Sequence, residues 1–278
     1  MIRVGGHAYR KLTVTGSGSD PSSIGDGDCE SHADPPASPT ETTMDPPVVR
    51  RRMSTAERLS DRVWRLELGR MNAYLVDDGD LTLFDAGTPG AAQSVVDGIG
   101  EAGYDVVDVD RVVITHYDLD HVGGLSGLTP DLSAPVIVRE PDASYVTGSD
   151  SPSWGSLKGF SQRLVGLLYT PPDLRVERIG EGDDVGSFSA YHTPGHTEGH
   201  MAYVSDHLDV AILGDLVRES GGKLEPSPWY ISRDTDAVRQ SIRNLASRMA
   251  PVSMVCPGHG DPITEGGADA LVAAANRD

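Results

Sequence analysis

Val112-Val113-Ile114-Thr115-His116-Tyr117-Asp118-Leu119-Asp120-His121 is the stretch that decides how this chain is read. Three β-branched apolar residues in a row predict a short strand buried on both faces. The end of such a strand is a rigid platform, because the sheet fixes its backbone. Four metal-competent side chains follow at once: His116, Asp118, Asp120 and His121. In an extended loop the alternation 116, 118, 120 projects three of them to one side, and His121 then opens the next element. Imidazole and carboxylate bind borderline divalent metals, and a two-metal site needs about this number of each. Taken alone, the same stretch reads equally as a polar loop in an Asp-rich chain. Gly123-Gly124 come next and permit close backbone approach.

Three downstream stretches change that balance. Thr193-Pro194-Gly195-His196, Leu213-Gly214-Asp215 and Pro257-Gly258-His259-Gly260 each place a metal-competent side chain beside glycine, where a predicted strand ends. Strands are expected at 63–68, 72–76, 81–84, 112–114, 135–138, 188–191, 201–204, 210–213 and 253–255, with a hairpin turn at Asp78-Gly79. Helices are expected from Pro89 to about Ala102, over 157–168, from an Asp234 N-cap to Met249, and over 268–275. Segment 141–172 holds Trp154, Phe160, Leu167, Leu168 and Tyr169, which read either as an apolar lid or as a plain amphipathic helix. The order of elements predicts an α/β protein with sheets inside and helices outside.

The ordered set Asp85 with Gly87, THYDLDHVGG, TPGHTEGH, LGD and PGHG resembles the metallo-β-lactamase superfamily, in particular its glyoxalase II-like branch. The resemblance runs from about residue 60 to the end. It implies a four-layer αββα sandwich with a metal site, usually dinuclear zinc, at one edge of the sheets. By motif it assigns His116 and His196 to a first metal, Asp120, His121 and His259 to a second, and Asp215 as the bridge. Asp118 stands where the family usually has a third histidine, in HxHxDH. A carboxylate there ligates as a harder donor and favours iron or manganese more than imidazole does, or else it does not bind. The resemblance implies that Asp85 orients the ligand loop, and that His192 and His200 pack or hydrogen-bond behind the ligands or are simply structural. The implied activity is a hydrolase that uses metal-bound hydroxide on a thioester, lactone or related ester, with Asp120 handling the proton. The rival readings are a non-haem iron redox enzyme, flavodiiron-like or persulfide dioxygenase-like, and a degenerate metal-binding module.

Composition narrows the partners. The 278 residues carry 23 basic and 42 acidic side chains, a net charge of −19, and the only lysines are Lys11, Lys158 and Lys223. Such a surface repels nucleic acid and anionic membrane, leaving a small-molecule substrate as the expected partner. Nothing in the sequence sets the oligomeric state. The N-terminus has no apolar h-region, no apolar run approaches a membrane span, and a cytoplasmic location is expected. Cys29 and Cys256 are the only cysteines, too few for a disulfide framework. Residues 15–47 are nearly devoid of apolar side chains. Residues 1–53 therefore read as a disordered tail and 54–278 as the folded domain. The tail holds 6 basic and 7 acidic side chains and the rest 17 and 35, so the charge sits on the folding part. Acidity with so little lysine resembles proteins of extreme halophiles. If self-repulsion weighs heavily against the folded state, the melting temperature rises as KCl is raised from dilute to molar, where the Debye length shrinks from ~10 Å to ~3 Å. A flat or falling melting temperature in calorimetry would count against this.

Overall fold

The computed structural model describes residues 55–152, 159, 162 and 166–277. The expected tail, and most of the expected helix at 157–168 with Trp154 and Phe160, lie outside these residues. Seven strands form the first sheet in chain order: β1 (Ala56–Arg58), β2 (Val63–Leu68), β3 (Met71–Asp77), β4 (Leu81–Phe84), β5 (Val109–Val113), β6 (Val136–Val138) and β7 (Val176–Arg178). The hairpins β1 to β4 are antiparallel, and β4 to β7 run parallel. The second sheet contains β8 (Asp184–Val185), β9 (Phe188–His192), β10 (Met201–Ser205), β11 (Val210–Gly214) and β14 (Met254–Pro257), in the order β14-β11-β10-β9-β8. A small hairpin, β12 (Val217–Glu219) with β13 (Leu224–Pro226), lies between β11 and β14 in the chain.

The side-chain period of two sorts these strands into layers. Tyr74 and Val76 join Phe84, Val113, Met201, Tyr203, Val210, Ile212, Met254 and Cys256 in the core between the sheets. Their alternates Ala73 and Leu75 join Val95 and Ile99 of α1 (Ala92–Ala102) in the outer core of the first sheet. On the other side, Ala202, Val204, Ala211, Leu213 and Val255 meet Val238, Ile242 and Leu245 of α5 (Thr235–Arg248), and Leu271 of α6 (Gly267–Ala275). Three apolar layers separate four layers of structure, which is the expected αββα sandwich. Both sheets are buried on both faces, which explains why β4, β10, β11 and β14 are apolar with hardly a polar break. Phe84 crosses the middle layer to meet Phe188 at 5.0 Å and Tyr203 at 5.5 Å between ring centroids.

Strand direction then sets the position of the site. β4 and β5 are parallel, as are β11 and β14, and β9 runs in the same direction as β11. Their C-terminal ends therefore share one edge of the sandwich, and each opens into one of the quoted motifs. Short helices α2 (Leu119–Val122), α3 (Leu125–Leu128) and α4 (Asp142–Val146) follow β5 and β6. The first of these corrects the expected alternation: extended backbone ends at Asp118, and Asp120 and His121 already belong to a helical turn. The helix expected from Pro89 begins only at Ala92, after an αR residue at Ala91. The Asp234 cap is present, its carboxylate accepting from the N–H groups of Asp236 and Ala237.

Gly123 and Gly124 are where the loop meets the start of α1. A Cβ at Gly124 would overlap the Ala86 carbonyl, and one at Gly123 the ring of Pro89. Ala86 N–H donates to the His121 carbonyl at 2.7 Å in the same place, so the contact cannot open without loosening the ligand loop. Gly124→Ala is expected to destabilise the fold by about 3 kcal/mol, the upper part of the overpacking range. A chemical-denaturation midpoint unchanged from the wild type would show that the loop relaxes freely.

Candidate metal centre

Asp85 follows β4 with a positive φ of 60°, a conformation that costs a non-glycine residue roughly 1 kcal/mol. Held there, its carboxylate accepts from Thr115 N–H at 2.9 Å and from Thr115 Oγ1 at 2.8 Å, and bonds His121 Nδ1 at 2.8 Å. Thr115 Oγ1 also lies 3.0 Å from His116 Nδ1. The threonine proton is committed to Asp85, so His116 Nδ1–H is the donor in that second bond. His121 Nδ1–H likewise donates to Asp85, and His259 Nδ1–H donates to the Arg70 carbonyl at 2.6 Å. In all three imidazoles Nε2 is left facing inward. His196 Nδ1 is bonded to Ser227 Oγ at 2.9 Å, which fixes the fourth ring in the same manner.

These Nε2 atoms converge on carboxylates. His116, Asp118, His196 and Asp215 each present an atom within 4.8 Å of the others, and so do Asp120, His121 and His259. Asp118 Oδ2 lies 2.9 Å from His196 Nε2 and 3.4 Å from His116 Nε2. Asp120 Oδ2 lies 3.4 Å from His259 Nε2. Asp215 is shared: its Oδ1 is 3.3 Å from His121 Nε2, and its Oδ2 is 3.3 Å from His259 Nε2 and 3.6 Å from His196 Nε2. All seven sequence-predicted side chains thus meet at one edge, four in one set and three in the other, with Asp215 between them.

The donor set fits a divalent metal pair on two observations. His116 Nε2, His121 Nε2 and Asp215 Oδ1 are fully buried with no hydrogen-bond partner, a costly state unless a cation completes them. The electrostatics agree. Burial alone would lower the pKa of His259, but its bonds to Asp120 and Asp215 push it up to about 10. Burial likewise opposes charge on His121, yet Asp85 and Asp215 hold it well above the usual imidazole value. Burial would raise Asp215, but His121, His259 and His196 hold it well below the usual carboxylate range. The cluster thus favours positive charge at its centre, which a divalent cation would supply.

Several supporting residues carry no signal in a single sequence. Asp142, buried on α4, accepts from Tyr117 N–H and from Thr197 Oγ1, both at 2.8 Å. It ties the loop of His116 to the turn of His196. Gln162 Nε2 donates to Asp118 Oδ1 at 2.8 Å, leaving Oδ2 to face the histidines. Asn72 and Tyr74 of β3 bond the Pro257 carbonyl at 3.2 and 2.7 Å and hold the PGHG turn of the other sheet. His200 is buried beside His116. Its ring lies 5.1 Å from that of His116, its Nδ1 is 2.8 Å from Thr193 Oγ1, and burial holds it well below the usual histidine pKa. His192 is placed differently: its Nε2 bonds the Glu198 carbonyl at 2.9 Å, closing the neck of the turn that carries His196. Of the residues read as either an apolar lid or a plain amphipathic helix, Leu167 and Leu168 are exposed, whereas Tyr169 packs on the Tyr117 ring and donates to the Val146 carbonyl.

A sequence profile of the metallo-beta-lactamase superfamily matches residues 67–259. The probable metallo-hydrolase YflN of Bacillus subtilis is 26% identical over 217 residues, 69% of this chain and 81% of that protein. A hydroxyacylglutathione hydrolase of Shewanella loihica is 28% identical over 174 residues, 62% of this chain and 54% of the enzyme, so the chain spans about half of that relative. Among solved structures, BJP-1, a subclass B3 metallo-beta-lactamase of Bradyrhizobium japonicum, superposes with a TM-score of 0.58 at 22% identity, over 80% of this chain and 89% of that one. TTHA1623 in a di-iron-bound form gives 0.55 at 28% identity, over 72% and 92%. The fold and the extent of the match define the class, and the chain belongs to the metallo-beta-lactamase superfamily. Proteins of this superfamily bind divalent metals, and the His/Asp cluster above is the candidate site here.

Because Asp85, Asp120 and Asp215 raise the pKa of His121 and His259, metal uptake is expected to displace protons from these rings. Proton release is therefore expected on metal addition at pH 7. Apparent metal affinity should fall as pH is lowered from 8 to 6, by about tenfold per unit for each displaced proton. Calorimetry in buffers of different ionisation enthalpy measures this directly. A pH-independent affinity with no proton release would place the metal elsewhere.

Proposed function

We propose that the chain is a dinuclear metallo-hydrolase acting on acyl thioesters, lactones or related carboxylic esters. The observation that carries this reading is the paired donor set sharing Asp215. His116, Asp118 and His196 would hold one ion, Asp120, His121 and His259 the other, and Asp215 both. The ions would supply a water ionised near neutral pH and a Lewis acid for the scissile carbonyl. Zinc suits the imidazoles, and Asp118, a hard anionic donor, shifts the preference toward iron or manganese. Asp118 is held to one donor atom by Gln162. Asp120 is the carboxylate of the set most open to the cavity, its side chain 39% exposed. Burial works against its charge, but His259 and His121 keep its pKa below the usual value. In this reading Asp120 would take a proton from attacking water and return it to the leaving thiolate or alkoxide. The hydroxyacylglutathione hydrolase relative supports thioesters as the first class to test.

Elemental analysis combined with a thioester, lactone and phosphodiester panel tests the proposal. About two metals per chain and turnover of a thioester or lactone are expected. Asp118→Ala should retain about one metal, bound by Asp120, His121 and His259, and lose most activity. Asp118→His should retain two and favour zinc. Two tightly bound metals in Asp118→Ala would overturn the role given to Asp118, and a metal-free, inactive wild type would overturn the hydrolase.

A further inference from the structure

The metal cluster forms part of the wall of a cavity of about 510 Å³. Asp118, Asp120, Asp215 and His259 line it on one side, and Val217, Pro228 and Ile231 give it an apolar wall. Two cations reach it, Arg70 and Arg218. They are in different states. Arg218 is already paired with Glu225 at 2.9 Å. Arg70 is exposed, and no carboxylate pairs with it among the described residues. Arg70 thus lines the cavity with no carboxylate partner, in a chain of net charge −19.

The backbone of Arg70 is not free to wander. Its carbonyl accepts from His259 Nδ1 at 2.6 Å, so one imidazole ring separates it from the Nε2 that faces Asp120 and Asp215. The next two residues are anchored as well: Met71 is buried in β3, and Asn72 bonds the Pro257 and Gly260 carbonyls at 3.2 and 2.6 Å. The guanidinium therefore hangs from a point fixed relative to the reacting centre, and its fork geometry suits a planar or tetrahedral oxyanion. Arg70 belongs to none of the ligand motifs, since it lies in a two-residue hairpin turn between β2 and β3.

We infer that Arg70 is a specificity residue which binds an anionic group, a carboxylate or phosphate, carried by the substrate away from its scissile carbonyl. The substrate would lie across the cavity, its acyl carbon at the metal cluster, its apolar portion on Val217, Pro228 and Ile231, and its oxyanion on Arg70. This rests on the hydrolase reading above for the reaction, but not for the anion.

The test uses the full-length, metal-loaded protein with Arg70→Gln and Arg70→Lys. Succinyl thioester of N-acetylcysteamine is compared with the methyl ester of the same compound. Succinate, its neutral isostere succinamide, and inorganic phosphate are titrated calorimetrically. Arg70→Gln is expected to lower kcat/KM for the free carboxylate by about 10- to 100-fold, the worth of a charge-assisted pair, and to leave the methyl ester unaffected. Arg70→Lys should fall between, having charge without the fork. Succinate or phosphate should bind more weakly to Arg70→Gln by a similar factor, and whichever is affected names the anion. Equal losses on both esters, or a fall in metal content, would mean that Arg70 acts through His259 and would overturn the inference, as would unchanged kinetics and anion binding. If the wild type cleaves neither ester, the hydrolase reading fails for this class, and the titration still decides Arg70. Weakened anion binding upholds it, and equal binding removes it.

Discussion

The bond on which the site depends is the one from Asp85 to the residues beyond β5. A single carboxylate, set in a left-handed backbone conformation, accepts from the Thr115 amide, the Thr115 hydroxyl and His121. Each acceptance fixes something different. The amide bond carries the β4–β5 ladder one residue further, the hydroxyl bond sets the tautomer of His116 through the shared oxygen, and the imidazole bond sets the tautomer of His121. The strained φ is the cost of turning one short side chain toward three donors. A Glu there would overshoot, and an Asn could not accept from all three.

That arrangement works only if both sheets end at the same edge. Two layers of buried β-structure slide easily over one another as far as hydrophobic contact is concerned, because burial has no direction. The register here is fixed by polar bonds at the rim. Met201 N–H of the second sheet donates to the Thr115 carbonyl at 2.8 Å and Asn72 N–H of the first donates to the Gly258 carbonyl at 2.8 Å, while Gly258 N–H donates to the Gly214 carbonyl at 2.8 Å within the second sheet. The glycines are required by this stitching. A side chain at Gly214, where φ is positive, would strike Thr115 and His200, and one at Gly258 would strike His121 and Asp215. The same residues that lock the sandwich therefore let the donors approach to within ligand spacing.

The readability of the sequence follows from this division. The strand ends and their donors were legible because they are local: apolar run, glycine, then His or Asp. The layers were legible from strands with hardly a polar break, which only a sheet covered on both faces produces. What stayed hidden is non-local. Asp142 looks like one more acid in an acidic chain until the fold sets it between Tyr117 and Thr197, and Ser227 has no signature at 31 residues from His196. The misplaced alternation through residue 120 has a local cause. The loop is short enough for helix to begin at Leu119, and the turn separates Asp120 and His121 from Asp118, dividing the ligands into two sets. Very short strands such as β7 and β8 lack the length for a period-two pattern to declare itself.

Charge supplies the last step. A strongly acidic surface concentrates cations around the protein and depletes anions. For the metal centre this is favourable, since the ions it needs are drawn toward three closely spaced carboxylates whose mutual repulsion is relieved on binding. For an anionic substrate it is adverse, and screening by salt only softens it. A cavity in such a protein that accepts anions must therefore carry its own positive charge at short range, where the surface field no longer dominates. In the proposed reading, bound metal would provide one such charge and Arg70 the other, with Val217, Pro228 and Ile231 lining the same cavity. An acyl compound carrying an oxyanion would use both charges, whereas a neutral ester would leave the guanidinium in water and gain nothing from it.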